Sequence, residues 1–105
     1  MKFYVYIIFS EKFGKYYIGE TENLPQRLIW HNQKEFTSSS TRFANDWEIK
    51  LKINMDNRTE ARKVEKYLKS MKSKKFIQSL VNDVFFQEKF IKIILQKFNL
   101  IISMD

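Results

Sequence analysis

Four side chains in the first third of the chain have the chemistry to act on a phosphate group. Tyr6 and Tyr17 lie in neighbouring strand-like segments, and Arg27 and His31 follow four residues apart in a segment with helical character. Because four residues are about one helical turn, the guanidinium and the imidazole point in the same direction. Two phenols, a guanidinium and an imidazole could therefore meet at one site. We interpret this group as better suited to phosphate chemistry than to core packing.

Hydrolysis of a phosphodiester requires a positioned nucleophile, neutralised phosphoryl oxygens and a stabilised leaving oxygen. Arg27 offers a planar set of donors that fits two phosphate oxygens. Mg²⁺ keeps much of its water and can be bound by a single carboxylate. Glu65, at the border of an apolar helical stripe, is the best-placed single carboxylate. We therefore expect Glu65 to bind one divalent ion, Mg²⁺ or Mn²⁺.

Each of these residues also has an ordinary structural interpretation. Tyr6 and Tyr17 could be strand aromatics with satisfied hydroxyls. Arg27 could be a surface charge, and His31 a helix residue with no task. Glu65 could simply form an ion pair one helical turn along the chain. Taken singly, each residue favours the ordinary interpretation, so the spacing of the whole set has to decide.

Composition restricts the chain to one small domain with few possible kinds of metal site. Its 105 residues, 44% of them hydrophobic, suffice for a single packed core. The sequence has no Cys and one His, which excludes disulfides, cysteine nucleophiles and metal sites built from thiolates or several imidazoles. A metal ion would have to be a hard cation bound by oxygens.

The charge balance favours a polyanionic partner. A formal charge of +7, from 19 Lys and Arg against 12 Asp and Glu, attracts nucleic acid by steering and counterion release, although ordinary solubility charge is the alternative. The N-terminal segment lacks the pattern of a signal peptide, so we expect a cytoplasmic protein. The apolar run over residues 84–102 is too short and too charged for a membrane span.

Apolar periodicity predicts three strands and several helices. Residues 3–9 and 15–20 are predicted to form an antiparallel hairpin, and residues 47–53 a third strand that alternates cleanly. One face of that third strand is predicted to carry Trp47, Ile49, Leu51 and Ile53, and the other face Glu48, Lys50 and Lys52. Capping-box patterns at Asn23 and Asn57 predict the starts of two helices.

Basic residues follow the second of these helices and the segment after it. The polar, serine-rich stretch over residues 33–45 is predicted to be an exposed loop, and it carries a further arginine. These cations could contact the backbone of a nucleic acid, although the loop could equally be a solvated connector. The candidate nucleic-acid contacts are Lys15, Arg42, Lys66, Lys69, Lys72, Lys74 and Lys75.

The order and spacing of these features resemble the GIY-YIG nuclease superfamily, particularly its small stand-alone bacterial members. The likeness covers about residues 3–81, and its motifs are specific as a combination although each is weak alone. They are Tyr4-Val5-Tyr6, Tyr17-Ile18-Gly19, Arg27, His31-Asn32, Trp47 with its strand, Glu60-Ala61, Glu65 and the lysine-rich segment up to Leu80.

This resemblance implies an α+β fold with a three-stranded antiparallel sheet flanked by helices, and an active site on one face of the sheet. We expect residues 1–82 to form the nuclease-like domain. Residues 83–105 have no counterpart in the family pattern. They are expected to form an additional helical tail that packs on the same domain, with self-association or contact with a membrane surface as the alternative.

The resemblance also implies roles for the site residues. One of the two tyrosines would orient or activate the attacking water, and Tyr6 is the stronger candidate. Arg27 would steady the scissile phosphate, and His31 would hold or deprotonate a tyrosine or the water. Glu65 would bind the divalent ion, which stabilises the leaving oxygen.

We therefore expect a Mg²⁺-dependent endonuclease that hydrolyses phosphodiester bonds in DNA. One alternative is a nucleic-acid-binding module that has the nuclease fold but no turnover. Another is an interaction protein that works through its apolar tail.

Overall fold

The computed structural model describes residues 2–33 and 43–104, and the strands and helices begin close to where the sequence patterns predict them. The strands are β1 (Phe3–Ser10), β2 (Lys15–Thr21), β3 (Trp47–Met55) and β4 (Ser103–Met104). The helices are α1 (Leu24–Gln33), α2 (Arg58–Ser70), α3 (Lys74–Asn82) and α4 (Val84–Phe98).

The strands form one antiparallel sheet in the order β2-β1-β3-β4, so the sheet has four strands rather than the expected three. The additional strand pairs Ser103 with Asn54 and Met104 with Ile53. The side-chain amide of Asn54 also donates a hydrogen bond to the Ser103 hydroxyl at 3.1 Å. A two-residue strand carries no periodic pattern of its own, which is why sequence periodicity did not predict β4.

The two faces of the sheet support two separate hydrophobic clusters, because successive strand residues point to opposite sides. Val5 and Ile7 face helix α2, whereas Tyr6 and Ile8 face helix α1. The larger cluster contains Val5, Ile7, Leu51, Ile53, Met55, Ala61, Val64, Leu68, Ile77, Leu80, Phe90, Ile94 and Ile102. The smaller cluster contains Tyr6, Ile8, Leu24, Ala44 and Trp47.

A bulge divides strand β3 between these two clusters. Ile7 pairs with Leu51, but the next residue of β1, Ile8, pairs with Ile49, so Lys50 is the additional residue. The prediction of one apolar face along β3 is therefore wrong, since the bulge reverses the direction of the side chains that precede it. Trp47 belongs to the smaller cluster, Leu51 to the larger one, and Ile49 is exposed.

Helix α1 is fixed at both ends by side-chain amides. Asn23 accepts a hydrogen bond from the backbone N–H of Gln26 at 3.2 Å, as its capping pattern predicts. Near the other end, Asn32 accepts from the Trp47 N–H at 2.7 Å and donates to the Trp47 carbonyl at 3.1 Å. This two-way contact joins the last turn of α1 to strand β3, and it thereby orients His31 towards the sheet.

The C-terminal segment forms α4 and β4, and it contributes Phe90, Ile94 and Ile102 to the larger cluster. Asp83 caps the start of α4 by accepting hydrogen bonds from two backbone N–H groups. Asn99, in the left-handed conformation at φ 56°, ends the helix. Among the helices of the described residues, none is long and apolar enough to cross a membrane.

Candidate active site

The Tyr6 side chain lies across the backbone of Gly19. The two residues are paired between β1 and β2, and a Cβ atom placed on Gly19 would come within 2.4 Å of the Tyr6 hydroxyl oxygen. Any larger residue at position 19 would therefore displace the phenol. A glycine inside a strand often marks such a close approach, and here the approaching group is a side chain of the site itself.

Tyr6 and His31 form a buried hydrogen-bonded pair. The Tyr6 hydroxyl oxygen lies 2.9 Å from His31 Nε2, and the two residues are 1% and 2% exposed. The Tyr17 ring completes the group, with its centre 6.5 Å from the Tyr6 ring and 5.1 Å from the imidazole. Strand β1, strand β2 and helix α1 therefore each contribute one ring to the same place.

Burial keeps this pair uncharged. Desolvation raises the pKa of Tyr6 well above its ordinary value of 10.0, and the nearby Tyr17 raises it further. Desolvation, with a smaller contribution from the positive charge of Arg27, lowers the pKa of His31 from 6.5 to about 4. At neutral pH the Tyr6 phenol carries its proton and the His31 imidazole is unprotonated. The phenol can therefore pass its proton directly to the imidazole, without prior loss of a proton to solvent.

Arg27 lies one helical turn before His31 on α1 and is half-buried. Its guanidinium is 5.5 Å from the centre of the Trp30 ring, a distance typical of a cation–π contact. Its charge acts on the pKa of both Tyr6 and His31. The structure therefore brings Arg27 together with the phenol–imidazole pair, as the four-residue spacing on the helix predicts.

Glu65 approaches this group from helix α2, which packs on the other face of the sheet. One of its carboxylate oxygens lies 3.6 Å from Lys69 Nζ, and the same ammonium lies 5.6 Å from the centre of the Tyr17 ring. The negative charge of Glu65 also contributes to the raised pKa of Tyr6. Since β2 is the edge strand, Glu65 and Lys69 reach the site around that edge.

The two tyrosines differ in their access to a ligand. Tyr6 is sealed beneath its neighbours, whereas Tyr17 is half-buried and lines an open groove of about 590 Å³. This groove lies between the β1–β2 turn and the junction of α2 with α3. A phosphate or water arriving from the groove would meet the Tyr17 phenol before that of Tyr6.

The predicted nucleic-acid contacts separate into three groups. Four of them line the groove, namely Lys15, Lys69, Lys72 and Lys74. Lys66 and Lys75 are exposed and do not line it. Arg42 lies outside the described residues.

Glu20 is a charged neighbour of the site that the sequence interpretation missed. Its side chain is 16% exposed, and one carboxylate oxygen is 3.7 Å from Arg58 Nε at the start of α2. That same oxygen is buried and accepts no hydrogen bond from the described residues. Its charge contributes to the raised pKa of Tyr6. The sequence feature that could have identified Glu20 is its position directly after Gly19, in a strand that ends at the site.

A family model of the GIY-YIG catalytic domain matches residues 2–79. The chain belongs to the GIY-YIG family. All five predicted site residues fall within the match. GIY-YIG proteins are generally endonucleases, which supports a nuclease with a nucleic-acid substrate, and they typically use divalent metal ions. Comparison with curated proteins gave no match, and neither did comparison with solved structures.

The donor set at the GIY-YIG site fits a hard, hydrated cation. No group of three or more His, Cys, Asp or Glu residues that could hold a metal ion occurs within residues 2–33 and 43–104. Glu65, with its side chain 20% exposed, is an oxygen donor that water can reach. One carboxylate completed by water molecules suits Mg²⁺ or Mn²⁺ and does not suit a metal that needs several nitrogen or sulfur ligands.

Proposed function

We propose that this protein is a Mg²⁺-dependent endonuclease that hydrolyses phosphodiester bonds in DNA, with Mn²⁺ as a substitute ion. The observation that carries the proposal is the buried, uncharged Tyr6–His31 pair. It lies behind a more accessible phenol, beside Arg27 and within the electrostatic reach of Glu65. The positive charge of the chain and of the adjacent groove supports a polyanionic substrate.

Arg27 binds the scissile phosphate. Its two outer nitrogens can donate to two non-bridging oxygens at once, which fixes the orientation of the phosphorus as well as offsetting negative charge. The Trp30 ring against the guanidinium limits the conformations that the arginine can adopt. The phosphate is thereby presented to the two phenols in one orientation.

Tyr17 orients the attacking water. The sequence interpretation favoured Tyr6 for this role, but the greater accessibility of Tyr17 and its position at the groove favour Tyr17. Its hydroxyl accepts a hydrogen bond from the water and holds the water in line with the leaving oxygen. Tyr6 and His31 lie behind it and take up the proton that this water releases.

His31 receives the proton at the end of this arrangement. The attacking water releases its proton through the Tyr17 hydroxyl as its oxygen bonds to phosphorus. When the Tyr6 oxygen accepts that proton, the original Tyr6 proton can pass to Nε2 across 2.9 Å. The imidazolium that forms is costly in a buried setting, as the low pKa of His31 indicates. The negative charge of the bound phosphate offsets that cost, so proton transfer is favoured only when substrate is present.

Glu65 is the residue that would hold the divalent ion. When bound, the ion supplies positive charge that stabilises the leaving oxygen. Lys69 Nζ lies 3.6 Å from the Glu65 carboxylate and 5.6 Å from the centre of the Tyr17 ring, so this ammonium connects the two residues. We also propose that residues 1–82 carry the activity and that residues 83–105 act by completing the larger hydrophobic cluster.

Cleavage assays test this function. Linear, nicked and branched DNA would be incubated with Mg²⁺ and with the protein or its Tyr17→Phe, Arg27→Ala and Glu65→Gln variants. Tyr67→Phe, which makes the same change in the larger cluster and outside the groove, is the matched control. We expect the wild type and the control to cut and the three site variants to lose at least about 100-fold in rate. Equal rates in all five proteins would refute the assigned site.

A binding assay separates the nuclease from a non-catalytic binding module. Salt-sensitive DNA binding without cleavage in any divalent metal would favour the module. Affinity that does not change with salt would contradict both functions.

A further inference from the structure

The groove beside Tyr17 has two chemically different walls. Aromatic rings from the β1–β2 hairpin form one wall, which includes Phe13, a residue that is 44% exposed. Lysines from the end of α2 and the start of α3 form the other. The residues that define the two walls are Phe13, Tyr16 and Tyr17 on one side and Lys69, Lys72 and Lys74 on the other.

The groove is joined to the active site, and a hydrogen bond connects its two walls. Tyr17 and Lys69 belong to both, so a chain that occupies the groove continues directly to the site. Across the groove, Lys74 Nζ donates a hydrogen bond to the Gly14 carbonyl at 2.7 Å. This contact connects α3 to the hairpin turn, so the two walls are already joined before any ligand binds.

Aromatic rings facing ammonium groups match a nucleic-acid strand whose bases are unpaired. Unpaired bases can stack on aromatic side chains while the phosphates contact lysines, and stacking contributes about 1–3 kcal/mol per base. A duplex offers phosphates but keeps its base faces covered. The 590 Å³ of the groove lies within the range of roughly 300–1,000 Å³ found for small-molecule pockets, which admits single nucleotides but not a double helix.

We propose that this groove binds a single-stranded segment adjoining the scissile phosphate, so that the preferred substrate has unpaired nucleotides next to the cleavage point. This inference rests on the proposed nuclease function for the position of the scissile phosphate. The occupant of the groove is a single strand of DNA, with Phe13 stacking against a base and Lys72 contacting the backbone.

Binding without metal tests the inference separately from cleavage. The full chain in EDTA would be titrated against a fluorescent single strand of about 12 nucleotides, within the usual site sizes, and against the duplex of the same sequence. Fluorescence anisotropy reports both affinities. We expect the single strand to bind about 10-fold more tightly than the duplex.

Two pairs of variants locate that preference in the groove. Phe13→Leu keeps an apolar side chain but removes the stacking surface, and Phe85→Leu makes the same change at a 79% exposed position on α4. Lys72→Gln removes a groove charge, and Lys89→Gln removes an exposed charge on α4, outside the groove. We expect each groove variant to weaken single-strand binding about 5-fold or more, and each control to stay within about 2-fold of wild type.

Equal or tighter binding of the duplex would overturn the inference, as would groove variants that bind like their controls. Circular dichroism of each variant shows whether the fold is retained, and Lys72→Gln gives a second measure if Phe13→Leu does not fold. Cleavage of duplex and single strand at equal rates would support the nuclease while refuting the groove assignment. Groove-dependent binding of the single strand without cleavage in any metal would refute the nuclease function alone.

Discussion

The Tyr6 hydroxyl and the His31 imidazole are 25 residues apart in the chain and 2.9 Å apart in the fold, and both are almost completely buried. The contact connects the central part of the sheet to the last turn of α1. Because the two side chains are hydrogen-bonded to each other and almost no water reaches them, a change in one alters both the protonation and the position of the other.

Removing the Tyr6 hydroxyl tests this connection. Tyr6→Phe leaves His31 Nε2 without the Tyr6 hydroxyl, and we expect the free energy of unfolding to fall by about 1–3 kcal/mol. Cleavage should fall about 100-fold while DNA affinity stays near wild type, since Tyr6 is not accessible to substrate. Urea denaturation and single-turnover cleavage measure the two effects. Tyr67→Phe, whose ring lies 6.1 Å from that of Phe90 in the larger cluster, should change neither quantity appreciably.

The low pKa of His31 predicts that stability falls as the pH is lowered from 7 to 5. The pKa is about 4 in the folded protein and 6.5 when unperturbed, so the unfolded chain binds a proton in this range that the folded chain does not. Unfolding is therefore favoured at lower pH, by about 2 kcal/mol at pH 5. Urea denaturation at pH 7, 6 and 5 measures the change.

His31→Gln is the control for this pH dependence. Because His31 is the only histidine in the sequence, the variant should show a nearly flat stability profile between pH 7 and 5. The hydrogen bonds from Ser10 and Lys12 lower the pKa of Asp46, so its titration falls below this range. A wild-type profile as flat as that of the variant would contradict the prediction.

Gly19→Ala should inactivate the enzyme without strain in the backbone. The added methyl group would meet the Tyr6 hydroxyl at 2.4 Å, so the phenol must move away from His31. We expect at least about a 10-fold loss of cleavage. Gly14→Ala should strain the backbone without a steric clash. Gly14 has φ +62°, and the atom nearest to an added Cβ would be 3.7 Å away. This substitution should cost about 1 kcal/mol of stability and retain activity.

Lys69→Gln should strengthen metal binding at Glu65. Removing the ammonium at 3.6 Å leaves the carboxylate with more unbalanced negative charge. Since the pair is partly exposed, we expect only about a 2- to 5-fold gain in Mn²⁺ affinity, measured by electron paramagnetic resonance. Lys66→Gln removes an exposed charge from the same helix and should have little effect. Glu65→Gln should abolish the binding, and an unchanged affinity in Lys69→Gln would show that Lys69 does not oppose the ion.

Only the side of helix α4 that packs in the larger cluster should contribute to stability. Phe90 is 1% exposed and packs in the larger cluster, whereas Phe85 is 79% exposed on the same helix. We expect Phe90→Ala to lower the free energy of unfolding by about 3–5 kcal/mol and Phe85→Ala by less than about 0.5 kcal/mol. Equal losses in urea denaturation would mean that α4 does not pack as described.

Sequence patterns predicted the elements that have a clear local signal. The capping residue Asn57 marks the start of α2 and accepts a hydrogen bond from the Glu60 N–H at 2.9 Å. The helical spacing of Arg27 and His31 placed them on one side of α1. Strand β4 and the bulge in β3 were missed because both depend on pairing with distant residues, which leaves no trace in local periodicity.

Sequence patterns could name the site residues but could not distinguish their surroundings. Tyr6 and Tyr17 occupy similar aromatic strand segments, yet one is buried against His31 and the other lines the groove. Lys74 and Lys75 are adjacent in the chain, and only Lys74 reaches Gly14 across the groove. How far each of these side chains is exposed, and from which direction it reaches the site, depend on how the helices pack, which no short motif encodes.

The bulge at Lys50 determines on which face of the sheet the preceding residues of β3 lie, and therefore which helix Trp47 contacts. If Lys50 were instead an ordinary strand residue and β3 ran without the bulge, Trp47 would point to the same side as Leu51 and the indole would turn towards the larger cluster. Asn32 would then lose the strand geometry in which it binds the Trp47 backbone, and α1 its attachment beside His31. The alignment of the buried phenol and imidazole thus depends on a backbone bulge at a lysine whose own side chain is 38% exposed and takes no part in the site.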